Sequence, residues 1–145
     1  MDLSETMTSK QKVTRFRDFF RPIMDHNGFQ WMEGAEVDNH GKPWAWGQYV
    51  NGFRKLRFAI CPESVLIKYH MGRYLLEHED MLFHSPDHKS RLDRGELLKD
   101  LDGQLAFLHD DVAVAGKRFL EGDIERLMKW AQQKGKLSGN EMKNK

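Results

Sequence analysis

The dipeptide Asn51-Gly52 constrains this chain more than any other feature, because it separates two strand-like runs, Trp44–Val50 and Phe53–Ile60. Asn-Gly is the preferred pair for a two-residue hairpin turn in which both central residues take positive φ. With these two residues in the turn, Val50 is predicted opposite Phe53, Gln48 opposite Lys55, Trp46 opposite Arg57 and Trp44 opposite Ala59. Side chains alternate across a strand, so one face of the hairpin carries Trp44, Trp46, Gln48, Val50, Phe53, Lys55, Arg57 and Ala59. The other carries Ala45, Gly47, Tyr49, Arg54, Leu56, Phe58 and Ile60. Leu56, Phe58 and Ile60 make that second face the natural core side, which leaves two tryptophans beside two cations on the first.

The flanking sequence extends the hairpin into a meander. Phe29 to Val37 reads as a strand, and the turn cluster Asp38-Asn39-His40-Gly41 leads it toward Pro43. After Pro62-Glu63-Ser64, Val65 to His70 alternates as a fourth strand. Met71-Gly72-Arg73 is read as the end of the sheet, with Tyr74 to Phe83 a short helix or extended segment and Ser85 to Arg91 a loop. Short turns between successive strands imply antiparallel neighbours.

Helices precede and follow this sheet. Val13, Phe16, Phe19, Phe20, Ile23 and Met24 recur at three- and four-residue spacings, with Thr8 or Ser9 as cap and Asn27-Gly28 as stop. Pro22 falls late in this helix and is expected to kink it or start a new turn. From Asp93 a second stripe runs through Leu97, Leu98, Leu101, Leu105, Leu108 and Val112, and Gly103 weakens the helix without ending it. Gly122 breaks the following segment, Asp123 caps a last helix and Gly135 stops it. The expected fold is α+β: an antiparallel sheet of about four strands, with an N-terminal helix and two or three C-terminal helices on one face. At 145 residues the chain holds one core. Residues 9–135 form the expected single domain, between a disordered N-terminus (1–8) and a disordered basic tail (136–145).

The formal charge of +1 conceals segregation. Between Lys42 and Arg73 stand six cations (Lys42, Arg54, Lys55, Arg57, Lys68, Arg73) and one acid, Glu63. Between Glu77 and Asp111 stand ten acids and four cations. Sheet and helices could neutralise one another, or present two partners with opposite signs. No apolar run approaches the roughly 20 residues that span a bilayer, and no signal-peptide core is present, so the expected location is cytoplasmic and no membrane partner is expected. The lone Cys61 cannot form an internal disulfide; before Pro62 it reads as a small apolar residue rather than a nucleophile.

Three chemistries compete for the polar residues. Trp44, Trp46, Gln48, Lys55 and Arg57 form a candidate partner-binding patch, since Trp and Arg are enriched among interface hot spots. The same aromatics could stack the bases of a single-stranded nucleic acid while the cations hold phosphates. The bland alternative puts the tryptophans beneath a helix, with the cations snorkelling past. A metal-dependent hydrolase would draw on His78, His84, His88, His109 and Asp110, and His109-Asp110-Asp111 resembles the paired ligands of helical metal-dependent phosphohydrolases, but Pro86 keeps His84 and His88 off a shared helical face, and no His-Glu-x-x-His motif is present. Glu77, Glu79 or Asp80 beside His78 could serve acid–base chemistry if buried. No cofactor and no catalytic residue are expected.

Several stretches carry a resemblance: the first helix ending in Gly28-Phe29, the run Tyr49 to Phe58, Tyr69-His70-Met71-Gly72 followed by His78-Glu79-Asp80-Met81, and the closing Asp100-Leu101 to Phe119-Leu120-Glu121-Gly122-Asp123. Over roughly residues 13–130 the chain resembles small uncharacterised bacterial α+β proteins, some of them immunity-type partners of secreted toxins. The segregated charge, the aromatic–basic hairpin face and the absence of catalytic motifs give the expectation of a non-enzymatic protein-binding module, monomer or homodimer, and the resemblance implies that its partner is a cognate toxin it neutralises. It carries over no functional residue.

Overall fold

The computed structural model describes residues 7–39, 42–61 and 64–135. The tail expected at 136–145, most of the N-terminal segment, and parts of the turns at 38–41 and 62–64 lie outside the described residues.

Helix α1 (Ser9–His26) begins where Thr8 and Gln11 cap each other reciprocally, each side chain bonding the other's backbone N–H. It runs through Pro22 and stops at Asn27, where Gly28 turns the chain at φ 82°. Strands β1 (Gln30–Asn39), β2 (Lys42–Asn51), β3 (Arg54–Cys61), β4 (Ser64–Met71) and β5 (Tyr74–Glu77) follow. They form an antiparallel sheet in sequence order, β1-β2-β3-β4-β5. The sheet thus has five strands where about four are expected. Gly72-Arg73 does not end it but turns it, pairing Met71 with Tyr74.

The central hairpin turns one residue later than the sequence rule places it. Asn51 pairs with Arg54, so Gly52 and Phe53 occupy the turn and Gly52 takes φ 62°. Asn51 stays in the strand because its side-chain amide donates to the carbonyl of Asn27 at 3.1 Å, tying the hairpin to the end of α1. Trp46 therefore faces Ala59, Gln48 faces Arg57 and Val50 faces Lys55. The register differs from expectation by two residues, an even number, so no side chain changes face.

Ala45, Tyr49, Leu56, Phe58 and Ile60 are buried, joined by Val65, Ile67, Tyr69, Met71 and Leu76 of the later strands. Helix α1 lies across β2 and β3, inserting Phe16 and Phe20 against Phe58 at ring distances of 4.7 and 5.2 Å. Tyr49 donates from its hydroxyl to the carbonyl of Arg17, and burial pushes its pKa up to about 12. The helical half comprises α2 (His78–Phe83), α3 (Arg94–Leu97), α4 (Leu101–Ala115), α5 (Lys117–Glu121) and α6 (Glu125–Gln133). The single helix expected from Asp93 is divided: Asp93 caps α3, and Asp100 caps α4 through the N–H of Gly103. Asp123 is not the cap of the last helix; Ile124 takes that position and Asp123 lies near Arg118 at 3.6 Å. Helix α4 packs on α1 and α2, and α6 lies against β5. Among the described residues, no helix is long and apolar enough to cross a membrane.

The edge strand β1 changes register between Glu33 and Glu36. Gly34 occupies this irregularity, and a Cβ there would collide with the Trp46 carbonyl and ring. Gly34→Ala is therefore expected to lower stability by about 1–3 kcal/mol, as overpacking does. Urea denaturation checks this, and an unchanged midpoint would show that the edge strand can move away.

Candidate functional site

Two polar constellations stand out, one on the open side of the sheet and one within the helical half. On the sheet, the face opposite the core carries Trp44, Trp46, Gln48 and Val50 from β2 and Lys55, Arg57 and Ala59 from β3. Cross-strand pairing adds Met32 beside Gln48, Leu66 beside Ala59 and Lys68 beside Arg57. Trp44, Trp46, Lys55 and Arg57 are half-buried, whereas Met32 and Leu66 are 51% and 43% exposed. The tryptophans therefore do not lie in the helix-covered core.

The centre of this face is fixed. The Arg57 guanidinium lies 4.5 Å from the centre of the Trp46 ring, and its Nε and a terminal nitrogen donate to Gln48 Oε1 at 3.2 and 3.1 Å. Gln48 is buried beneath this contact. Burial lowers the Arg57 pKa, which nevertheless stays far above neutrality given its ordinary value. The structure thus joins Trp46, Gln48 and Arg57 directly; Trp44 and Lys55 share their face at its margin. Because Arg57 already covers Trp46, a base stacking there would have to displace the guanidinium.

The charge segregation is not resolved by contact between sheet and helices at this face. Asp102 of α4 pairs with Arg15 of α1, Glu79 with Arg94 at 3.2 Å, and Asp80 with Lys134 at 2.8 Å. Arg57 bonds to Gln48 rather than to a carboxylate among the described residues.

The second constellation centres on Asp111 of α4, which is fully buried. Tyr69 of β4 contacts His78 Nδ1 at 2.9 Å, and His78 Nε2 lies 3.3 Å from Asp111 Oδ2. Ser90 donates its hydroxyl to the same oxygen at 2.5 Å, and His88 Nε2 lies 2.9 Å from Asp111 Oδ1. Tyr69 is held protonated because burial, and then the charges of Asp111 and Glu79, push its pKa up. With the His78 ring in its Nε2–H tautomer, the Tyr69 hydroxyl donates to Nδ1 and Nε2–H donates to Asp111. Burial alone would raise the Asp111 pKa, but the hydrogen bonds from His78, Ser90 and His88 outweigh it and hold the carboxyl below its usual range.

Of the histidines singled out in the sequence, His78 and His88 meet here, and Asp110 borders the cluster at 3.9 Å from His88 Nε2. His84 and His109 go elsewhere. His84 stacks on Trp130 at 3.6 Å, and burial, then the nearby Lys134 charge, lower its pKa. His109 sits against Phe19 and Phe20 at 5.7 and 5.4 Å, its pKa likewise lowered by burial. Tyr69 and Ser90 were not legible as site residues, and Asp111 was visible only within the run His109-Asp110-Asp111. One further signal was present for Asp111: it lies three residues after Leu108 and four before Ala115, an acidic residue on an apolar stripe.

No family model matches this chain, and neither the curated proteins nor the solved structures provide a match.

Proposed function

We propose that this chain is a non-enzymatic protein-binding module whose docking surface is the open sheet face around Trp46 and Arg57. The observation that carries this reading is the fixed Trp46–Gln48–Arg57 unit flanked by exposed Met32 and Leu66. Such a unit is paid for in the free protein: its side chains lose little further freedom on docking, and Trp and Arg are the residue types that dominate interface energies. Lys55, Arg57 and Lys68 outnumber Glu77, which stands opposite Lys68, and leave the face basic, so the complementary partner is a protein surface with acidic groups around an apolar centre. The resemblance to immunity-type proteins narrows that partner to a secreted toxin domain whose active site the module occludes.

The test is calorimetric titration of the purified chain with the product of the adjacent gene, using wild type, Trp46→Ala and Arg57→Glu. Micromolar or tighter binding in wild type, weakened about 30-fold or more by either substitution, is the expected result, since hot-spot losses reach about 2 kcal/mol. Absence of binding removes the toxin partner, and unchanged binding by both variants removes this face. A single-stranded oligonucleotide that quenches tryptophan fluorescence steeply less at high salt would instead replace the protein partner by a nucleic acid.

A further inference from the structure

We infer that His88, Asp110 and Asp111 form a binding site for one divalent transition-metal cation of the zinc class, clipping the loop after α2 onto helix α4. This site is separate from the sheet face. Its three ligand atoms, one from each residue, lie within 4.8 Å of one another. His88 Nε2 is 2.9 Å from Asp111 Oδ1 and 3.9 Å from Asp110 Oδ2. Ligands about 2.0–2.2 Å from a tetrahedral ion stand roughly 3.3–3.5 Å apart, so these separations need only small side-chain rotations to enclose one.

The surroundings of Asp111 favour a cation. Its carboxylate is fully buried, and the groups that bond it are a hydroxyl and two imidazoles, none of them a lysine or arginine. These three bonds hold the carboxylate in its charged form, and a cation entering the site would take the place of the one from His88. The two oxygens of Asp111 are also divided in role. Ser90 and His78 hold Oδ2, and Tyr69 in turn holds His78, which fixes the carboxylate plane. Oδ1 faces His88 Nε2, which Asp110 Oδ2 also approaches. Oriented carboxylates backed by an outer layer of hydrogen bonds are the usual support of metal ligands.

Protonation is consistent with this division. A metal takes the lone pair of His88 Nε2, so the neutral ring carries its proton on Nδ1 and the hydrogen bond to Asp111 is replaced by two bonds to the ion. His78 Nδ1 is taken up by the Tyr69 hydroxyl at 2.9 Å and is not a ligand here. One imidazole and two carboxylates suit zinc, manganese or cobalt. Asp110 is 42% exposed and His88 11%, which leaves the outer side of the ion to water. His109, although adjacent in sequence, turns to Phe19 and Phe20 and takes no part.

The test uses tag-free, chelator-treated protein titrated with Co²⁺ and followed by visible absorption, then with Zn²⁺ in competition. Wild type is expected to bind one ion per chain, with a d–d spectrum of nitrogen and oxygen ligation. His88→Gln and Asp110→Asn are each expected to weaken binding at least about tenfold, whereas His26→Gln, an exposed histidine on α1, leaves it unchanged. Asp110 is half-exposed, so its variant retains the fold, and circular dichroism confirms this for each protein. Failure of wild type to saturate at one ion per chain overturns the site. So does wild-type affinity in both His88→Gln and Asp110→Asn, which would place the ion elsewhere.

Discussion

Replacing Asp111 by alanine is expected to destabilise the fold by about 3–5 kcal/mol, on the scale of breaking a buried charged network. The size follows from what the carboxylate holds. Removing it leaves His78 Nε2, His88 Nε2 and the Ser90 hydroxyl without their shared acceptor, at about 1–3 kcal/mol for the buried His78 and less for the partly buried His88 and the exposed Ser90, and it opens a cavity on the apolar stripe of α4. Asp111→Asn retains an acceptor oxygen and is expected to lose less. The effect also depends on pH in a determined direction. The folded Asp111 carboxyl titrates below its ordinary value, so its contribution is present above the unfolded value of about 4 and is lost as pH falls through the lower folded value. Urea denaturation at neutral pH and near pH 3 checks both claims. The wild-type advantage over Asp111→Asn should shrink in acid; an advantage that grows there would reverse the assignment of charge to this residue.

Phe58→Ala should cost a similar amount, about 3–5 kcal/mol, for a different reason. The ring is fully buried between the sheet and α1, stacked on Phe16 and close to Phe20. Truncation leaves a cavity that neither neighbour can fill, because Phe16 and Phe20 are anchored on a helix whose position is fixed by Asn51 and Tyr49. Both variants should unfold cooperatively at lower temperature, by about 10–15 °C for a domain of this size. Phe58→Leu restores most of the volume and should recover more than half of the loss. Equal losses for Ala and Leu would mean that ring stacking, rather than filled volume, holds α1 to the sheet.

These predictions rest on parts of the molecule that the sequence disclosed unequally. The division of β2 and β3 into an aliphatic face and a tryptophan–arginine face was legible, because strand periodicity survives an even change of register. The turn itself was misplaced: the Asn-Gly rule is local, and the hydrogen bond from Asn51 to Asn27 that keeps Asn51 in the strand spans the α1–β1 connection. Strand β5 was missed because Leu75 and Leu76 are both buried, so Tyr-Leu-Leu-Glu lacks the alternation by which a half-exposed strand is recognised. The segmented C-terminal helices were merged because Asp100, a cap, falls inside an otherwise continuous leucine stripe.

The candidate residues divide along the same line. Trp46, Gln48 and Arg57 were found because pairing across one hairpin brings them together. Ser90 was not, because it lies in a loop without periodicity, and Asp111, visible beside His109 and Asp110, could not be joined to His78 across 33 residues. Sequence spacing excluded a shared helix for His84 and His88, correctly, but could not show that one would swing toward Asp111 and the other toward Trp130.

The strand order has a consequence for how the chain reaches this structure. Every strand pairs with its immediate successor through a short connection, so each addition to the sheet closes only a small loop and loses little chain entropy. The sheet can therefore grow by zippering from the central hairpin. By contrast, the contacts from β4 and α2 to α4 must wait until the intervening loop is gathered in. Topology of this kind favours rapid early assembly, followed by a later locking step in which the aspartate, the serine and the two histidines find one another.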